Sequence, residues 1–136
     1  MYGMVAPDFG KYSLALIHHD TIVHSSRGRG IIPLISCLEE CQSRYQDCTL
    51  HDKVIGLAAA KLAVYSGVVS SIVTNVASES AAGFLKDNGI VLTAGTIAAN
   101  ILTSDRRAVC PGEIIAERTD NYESLVAQLK AMLRGE

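Results

Sequence analysis

LHDKVIGLAAAKLAVYSGVVSSIVTNVASES, Leu50 to Ser80, is the stretch on which the fold turns. A polar trio, His51, Asp52 and Lys53, stands directly before a nearly uninterrupted run of apolar and small residues. Gly56, Ala58, Ala59, Ala60 and Ala63 carry almost no bulk, and Lys61 is the only charge in the run. A helix that is apolar nearly all round is buried, so the spacing predicts a central helix ending at about Ser66. Asp52 is the expected N-cap, since a carboxylate accepts the unpaired N–H groups of a first turn. Gly67 is the expected C-cap. Val68 to Asn75 is rich in β-branched residues with little polar alternation, as in a strand covered on both faces. Ser78 then reads as a second N-cap, with Glu79 in the first turn where the helix dipole favours it. A short helix, Ala81 to Asn88, stops at Gly89 before a strand from Ile90 to Thr93. Strand, helix and strand make a βαβ unit, expected to be parallel and right-handed.

Upstream, Ser13 to His18 and Thr21 to Ser25 are β-rich and flank His19-Asp20, a two-residue turn, so they predict an antiparallel hairpin. The basic loop Arg27-Gly28-Arg29-Gly30 leads into a helix from about Ile31 to Tyr45. Pro33 is tolerated in its first turn, and Leu34, Cys37, Leu38, Cys41 and Tyr45 recur at three- and four-residue steps. Gln46 to Leu50 reads as a short connection. Downstream, Thr96 to Leu102 reads as a short helix and Ser104 to Arg107 as a polar turn. Cys110-Pro111-Gly112-Glu113 opens a last helical region. Asp120 to Leu133 is amphipathic through Tyr122, Leu125, Val126, Leu129 and Met132.

At 136 residues the chain has the length of one domain, enough to bury a core. The expected division is a single domain, residues 1–136, with its core over about 12–117 and a C-terminal helix over about 120–133. A formal charge of −2 lacks the concentrated basic face of a nucleic-acid binder. No apolar run is long enough to cross a bilayer. The opening MYGMVAPDFGKYS lacks the basic and apolar regions of a secretory signal. A cytoplasmic protein is therefore expected, with neither nucleic acid nor membrane as partner.

Four cysteines are present, Cys37, Cys41 and Cys48 close together and Cys110 apart. The expectation is free thiols, with no metal, because neither CxxC nor a Cys/His pair at ligand spacing occurs. His18, His19 and His24 also cluster, but neighbours along a strand point to opposite faces.

The segments RGRGIIPL (Arg27 to Leu34), DKVIGLAAAKLAVYSGV (Asp52 to Val68), SESAAGFLKDNGI (Ser78 to Ile90) and CPGE (Cys110 to Glu113) resemble, in this order, a small prokaryotic family known as domain of unknown function 1893. That family resembles the cytidine deaminase-like superfamily in turn. The resemblance implies an α/β fold with three α/β/α layers, whose mixed sheet has an N-terminal antiparallel hairpin followed by parallel strands. Zinc deaminases place His or Cys, one residue and Glu at the start of the central helix, and Pro-Cys-x-x-Cys at the start of the next. Here the first place reads His51-Asp52-Lys53 or Asp52-Lys53-Val54, and the second Ala77-Ser78-Glu79-Ser80. His51 offers one ligand, Lys53 stands where Glu is needed, and both cysteines are missing. Zinc-dependent deamination is not expected, and no cofactor is implied.

The geometry of such a fold brings helix starts together at the carboxyl ends of parallel strands, where polar and anionic ligands bind. The expected ligand site is Arg27, Gly28, Arg29, Gly30, Asp52, Lys53, Ser78, Glu79, Ser80, Cys110 and Glu113. Each also has an ordinary reading: caps for Asp52 and Ser78, dipole complement for Glu79, solvated charge for Lys53, plain connection for the RGRG loop, packing for Cys110. Three functions remain open. The first is a metal-free module binding a nucleotide-like or phosphorylated small molecule. The second is an enzyme using Cys110 as nucleophile, or Asp52 and Lys53 as an acid/base pair. The third is a structural or partner-binding subunit, with a homodimer through the C-terminal stripe as one form.

Overall fold

A computed structural model describes residues 6–101 and 110–135 of the chain. The hairpin is β1 (Leu14–His18) and β2 (Thr21–Ser26), paired antiparallel. Its turn residues His19 and Asp20 both have positive φ, 47° and 64°, the backbone twist that two-residue hairpin loops require. Helix α1 (Ile32–Cys41) follows, with Pro33 in its first turn, burying Leu34, Ile35, Cys37, Leu38 and Cys41. It ends a turn short of the expected Tyr45, which packs against the core from the turn beyond.

The segment read as a connection is β3 (Cys48–Asp52). It pairs antiparallel with β1 and parallel with β5 (Val69–Ser78), so it lies inside the sheet. A two-residue strand, β4 (Val54–Ile55), continues it after Lys53. β4 pairs with Val76 and Ala77 of β5, and β6 (Val91–Ala98) pairs with those same residues. A strand has two edges, so β3 and β4 share one edge of β5 while β6 takes the other. The sheet therefore reads β2, β1, β3 with β4, β5, β6, antiparallel at β1 and parallel from β3 onward.

Helix α2 (Leu57–Ser66) links β4 to β5, and α3 (Glu79–Asp87) links β5 to β6. Gly67 ends α2 with φ 73°, the left-handed conformation glycine adopts without strain. Ser78 caps α3 by accepting from the Ala81 N–H at 3.1 Å. The helix expected over Thr96 to Leu102 is not formed in its first half, where Thr96, Ile97 and Ala98 pair with Val76, Ala77 and Ser78. Tertiary pairing overrides the helical preference of the small residues that follow. Gly95 allows that pairing, since a Cβ there would meet the Asn75 carbonyl oxygen at 3.0 Å. The rest of that segment from Leu102, and the polar turn Ser104 to Arg107, lie outside the described residues. Helices α4 (Pro111–Glu117) and α5 (Tyr122–Leu133) close the chain.

Alternation along β1 separates two cores. Leu14 and Leu16 join a large one to which all five helices contribute, including Leu62 of α2, Leu85 of α3, Ala116 of α4 and Leu129 of α5. Ala15 and Ile17 face the other way and meet Tyr12 and Phe9 in a small cluster that no helix enters. The expected helix layers on both sheet faces are thus not what the described residues show. α4 and α5 pack on α2 with little contact to strands, which is why α2 is apolar all round.

Candidate functional site

Between the RGRG loop, the β3–β4 junction and the starts of α2 and α4 lies a cleft of about 660 Å³. The loop is tied in place by its own backbone. Ser13 Oγ donates to the Gly28 carbonyl at 2.6 Å, the Gly28 N–H donates to Ser26 Oγ at 3.0 Å, and Arg27 Nε donates to the Lys11 carbonyl at 3.0 Å. Gly28 sits where a Cβ would meet Pro33 Cγ at 2.8 Å, and Gly30 has φ 77°. The two glycines thus let the loop turn tightly over the start of α1.

Asp52 closes β3 opposite Leu14, and Lys53 stands in the gap before β4, its N–H donating to the Ser13 carbonyl at 3.2 Å. Asp52 is not the cap of α2. The cap position is Gly56, which offers no side chain, and the carboxylate that serves the helix comes from α4. Glu113 Oε1 accepts from the Leu57 N–H at 2.6 Å and Oε2 from the Ala58 N–H at 2.9 Å. A Cβ on Gly56 would collide with that carboxylate, reaching its Cδ at 2.6 Å. Glu113 is 8% exposed, so its charge is satisfied by the orphan donors of a helix start.

Burial raises the Asp52 carboxyl from 3.8 to about 7, although hydrogen bonds from the backbone of Val54 and Lys53 oppose the shift. A carboxyl that titrates near neutrality on a cleft wall is suited to proton transfer. Arg29 and Lys53 are exposed, and neither side chain has a hydrogen-bond or ion-pair partner among the described residues. Cys110 lines the cleft beside Gly112, ahead of α4.

The structure brings Arg27, Gly28, Arg29, Gly30, Asp52, Lys53, Cys110 and Glu113 to one cleft. Ser78, Glu79 and Ser80 do not line it. Ser78 is buried and turned back onto its own helix, 3.2 Å from the Ser80 hydroxyl. His51 points to the small core on the opposite sheet face, with Nδ1 2.7 Å from the Tyr12 hydroxyl, and burial lowers its pKa. The places where zinc deaminases hold their metal therefore do not fit a metal here. Sequence reasoning missed the apolar wall from Val54 and Met132. It also missed Gly56, whose role depends on a contact with a residue far along the chain.

Fold and site define an α/β protein with a mixed sheet and a charged, apolar-walled cleft beside its central helix. Residues 8–133 match the family TM1506, domain of unknown function (DUF1893), and the chain belongs to that family. Among solved structures it is similar to a crystal structure of a DUF1893 family protein (TM1506) from Thermotoga maritima. The TM-score is 0.73 at 20% identity, covering 91% of this chain and 82% of that one. Among curated proteins the chain matches none. No helix of the described residues is long and apolar enough to cross a membrane.

Proposed function

We propose that the protein binds a small anionic molecule, nucleotide-like or a phosphorylated metabolite, in the cleft under the RGRG loop. One observation carries this reading: Arg27, Arg29 and Lys53 converge on a cavity that also has an apolar wall. Arg29 and Lys53, unpaired at the rim, suit a phosphate or carboxylate, and the wall of Val54 and Met132 suits the body of a base or acyl group. Two helix starts were the expected anion site. That role passes to the cations, because Glu113 already occupies the start of α2 and the start of α3 lies outside the cleft. The strand order supports a deaminase-like ancestry for the scaffold, and the residues at the metal places favour binding without zinc deamination.

A thermal-shift panel of nucleotides, sugar phosphates and acyl phosphates at millimolar concentration tests the proposal. A ligand that saturates the native state must raise its stability, so at least one phosphate-bearing compound raises Tm by several degrees. A flat panel rejects the proposal. Asp52 favours a second reading, an enzyme that uses this carboxyl as general acid or base on the bound molecule. Rate against pH that inflects near 7 and loses the inflection in Asp52→Asn supports it. The apolar stripe of α5 packs on its own domain, with Leu125 and Leu129 fully buried, and this weighs against a homodimer built on those residues.

A further inference from the structure

Away from the cleft, β2 and α1 bring together three side chains whose chemistry matches none of the functions above. His24 projects from β2 toward α1, where Cys37 and Cys41 stand one turn apart on the buried face. One nitrogen of His24 and the two Sγ atoms all lie within 4.8 Å of one another. Burial raises the pKa of both thiols, so each carries its proton in the free protein. Glu40, between them in sequence, places Oε2 3.1 Å from His24 Nδ1. A carboxylate on one ring nitrogen is the usual way a protein orients an imidazole whose other nitrogen binds a metal.

We propose that His24, Cys37 and Cys41 form a binding site for a thiophilic cation, Zn²⁺ in the first instance, with Glu40 orienting the imidazole. Two thiolates and an imidazole are the donor set of a borderline-soft ion and a poor one for Mg²⁺ or Ca²⁺. A tetrahedral zinc, with Zn–S of about 2.3 Å and Zn–N of about 2.0 Å, spaces its ligand atoms roughly 3.5–3.8 Å apart. The three ligand atoms here, within 4.8 Å of one another, need only draw together by roughly 1 Å to hold such an ion. Cys37 and Cys41 are buried while the His24 side chain is 17% exposed, so a cation enters past the imidazole, and solvent supplies the fourth ligand. Binding replaces two S–H protons by two S–metal bonds and releases both protons. No electron is transferred. The site ties the hairpin to α1, directly before and after the RGRG loop, and so fixes both ends of the segment that covers the cleft. The motif escapes a sequence search because its third ligand comes from another element, whereas Cys37 and Cys41 alone are a common buried pair.

Cobalt substitution reads the site directly. Chelator-stripped protein titrated with Co²⁺ is expected to give a near-ultraviolet thiolate-to-cobalt band and visible bands of a tetrahedral ion, saturating at about one per chain and displaced by Zn²⁺. His24→Gln, whose side chain is partly exposed and whose fold is checked by circular dichroism, weakens binding at least tenfold. Cys41→Ser lowers the thiolate band to half or less, and Glu40→Gln weakens binding by roughly tenfold or more. Wild-type protein without a thiolate band overturns the site. Unchanged affinity in a folded His24→Gln variant overturns it equally, because the ion would then be held by thiols elsewhere.

Discussion

Glu113 reaches from α4 to hold the first two N–H groups of α2, and Gly56 leaves the room its carboxylate needs. Each residue has value only with the other, so their substitutions should not add. Glu113→Ala leaves two buried N–H groups unpaired and should lower stability by about 2–3 kcal/mol. Gly56→Ala displaces the same carboxylate and should cost about as much, while the double variant costs well below the sum. Denaturant titrations of the four proteins measure this directly, and an additive result contradicts the shared cap. Asp52, the cap that sequence suggested, has a different energetic role. Its folded pKa of about 7 lies above its ordinary 3.8, so the fold favours the protonated acid. The contribution to stability is full below about pH 4 and is lost as pH rises through about 7. Asp52→Asn should therefore raise stability by about 2 kcal/mol near pH 8 and change little near pH 4. A loss of stability at every pH contradicts that assignment. Asp52 was legible as a cleft residue because it stands in the middle of a polar trio ahead of an apolar run. Its cap role was misassigned because the capping group is remote in sequence, and local patterns cannot show it.

α2 and α4 hold each other at both ends. Glu113 of α4 serves the start of α2, and Lys61 of α2 donates to the Ala116 and Thr119 carbonyls at the end of α4, at 2.7 and 2.9 Å. A cation at a helix carboxyl end satisfies orphan carbonyls and complements the dipole. Lys61→Met keeps the side-chain bulk and removes both bonds, so we predict a loss of about 2 kcal/mol by chemical denaturation. A change below about 0.5 kcal/mol would show that Lys61 is only filling space. Lys61 was visible in the sequence as the single charge in an apolar helix, a pattern that signals a partner without naming it. The βαβ unit over β5, α3 and β6 was equally legible, because the Ser78 cap and the Gly89 stop punctuate it. β3 was missed: the alternation of Cys48 and Leu50 about Thr49 is short, and the long helical run after it drew the boundary. The available signal was topological, since a helix leading into a parallel strand needs a strand before it, and Cys48 to His51 supply that strand.

At the scale of the molecule, seven elements (β1, α1, β3, β4, α2, α4 and α5) and the RGRG loop contribute to a single cleft. The RGRG loop and Lys53 supply cations, Asp52 a titratable carboxyl, and α5 an apolar wall. Sequence placed the charged side of this cleft through helix starts and a basic loop, and left out the apolar side. The stripe of α5 reads identically whether it packs on a core, on a second chain or beside a ligand, and only the fold assigns Leu125 to the core and Met132 to the cleft. Arg29→Ala combined with Lys53→Ala changes two exposed side chains, so stability should stay within about 0.5 kcal/mol while affinity for an anionic ligand falls at least tenfold. The most direct measurement is a crystal structure of the protein grown with the phosphate-bearing compound that most raises its Tm. The account predicts density in the cleft, with the phosphate at Arg29 and Lys53 and the rest of the molecule against Val54 and Met132. Density for that compound at another surface, with the cleft holding only solvent, would contradict it.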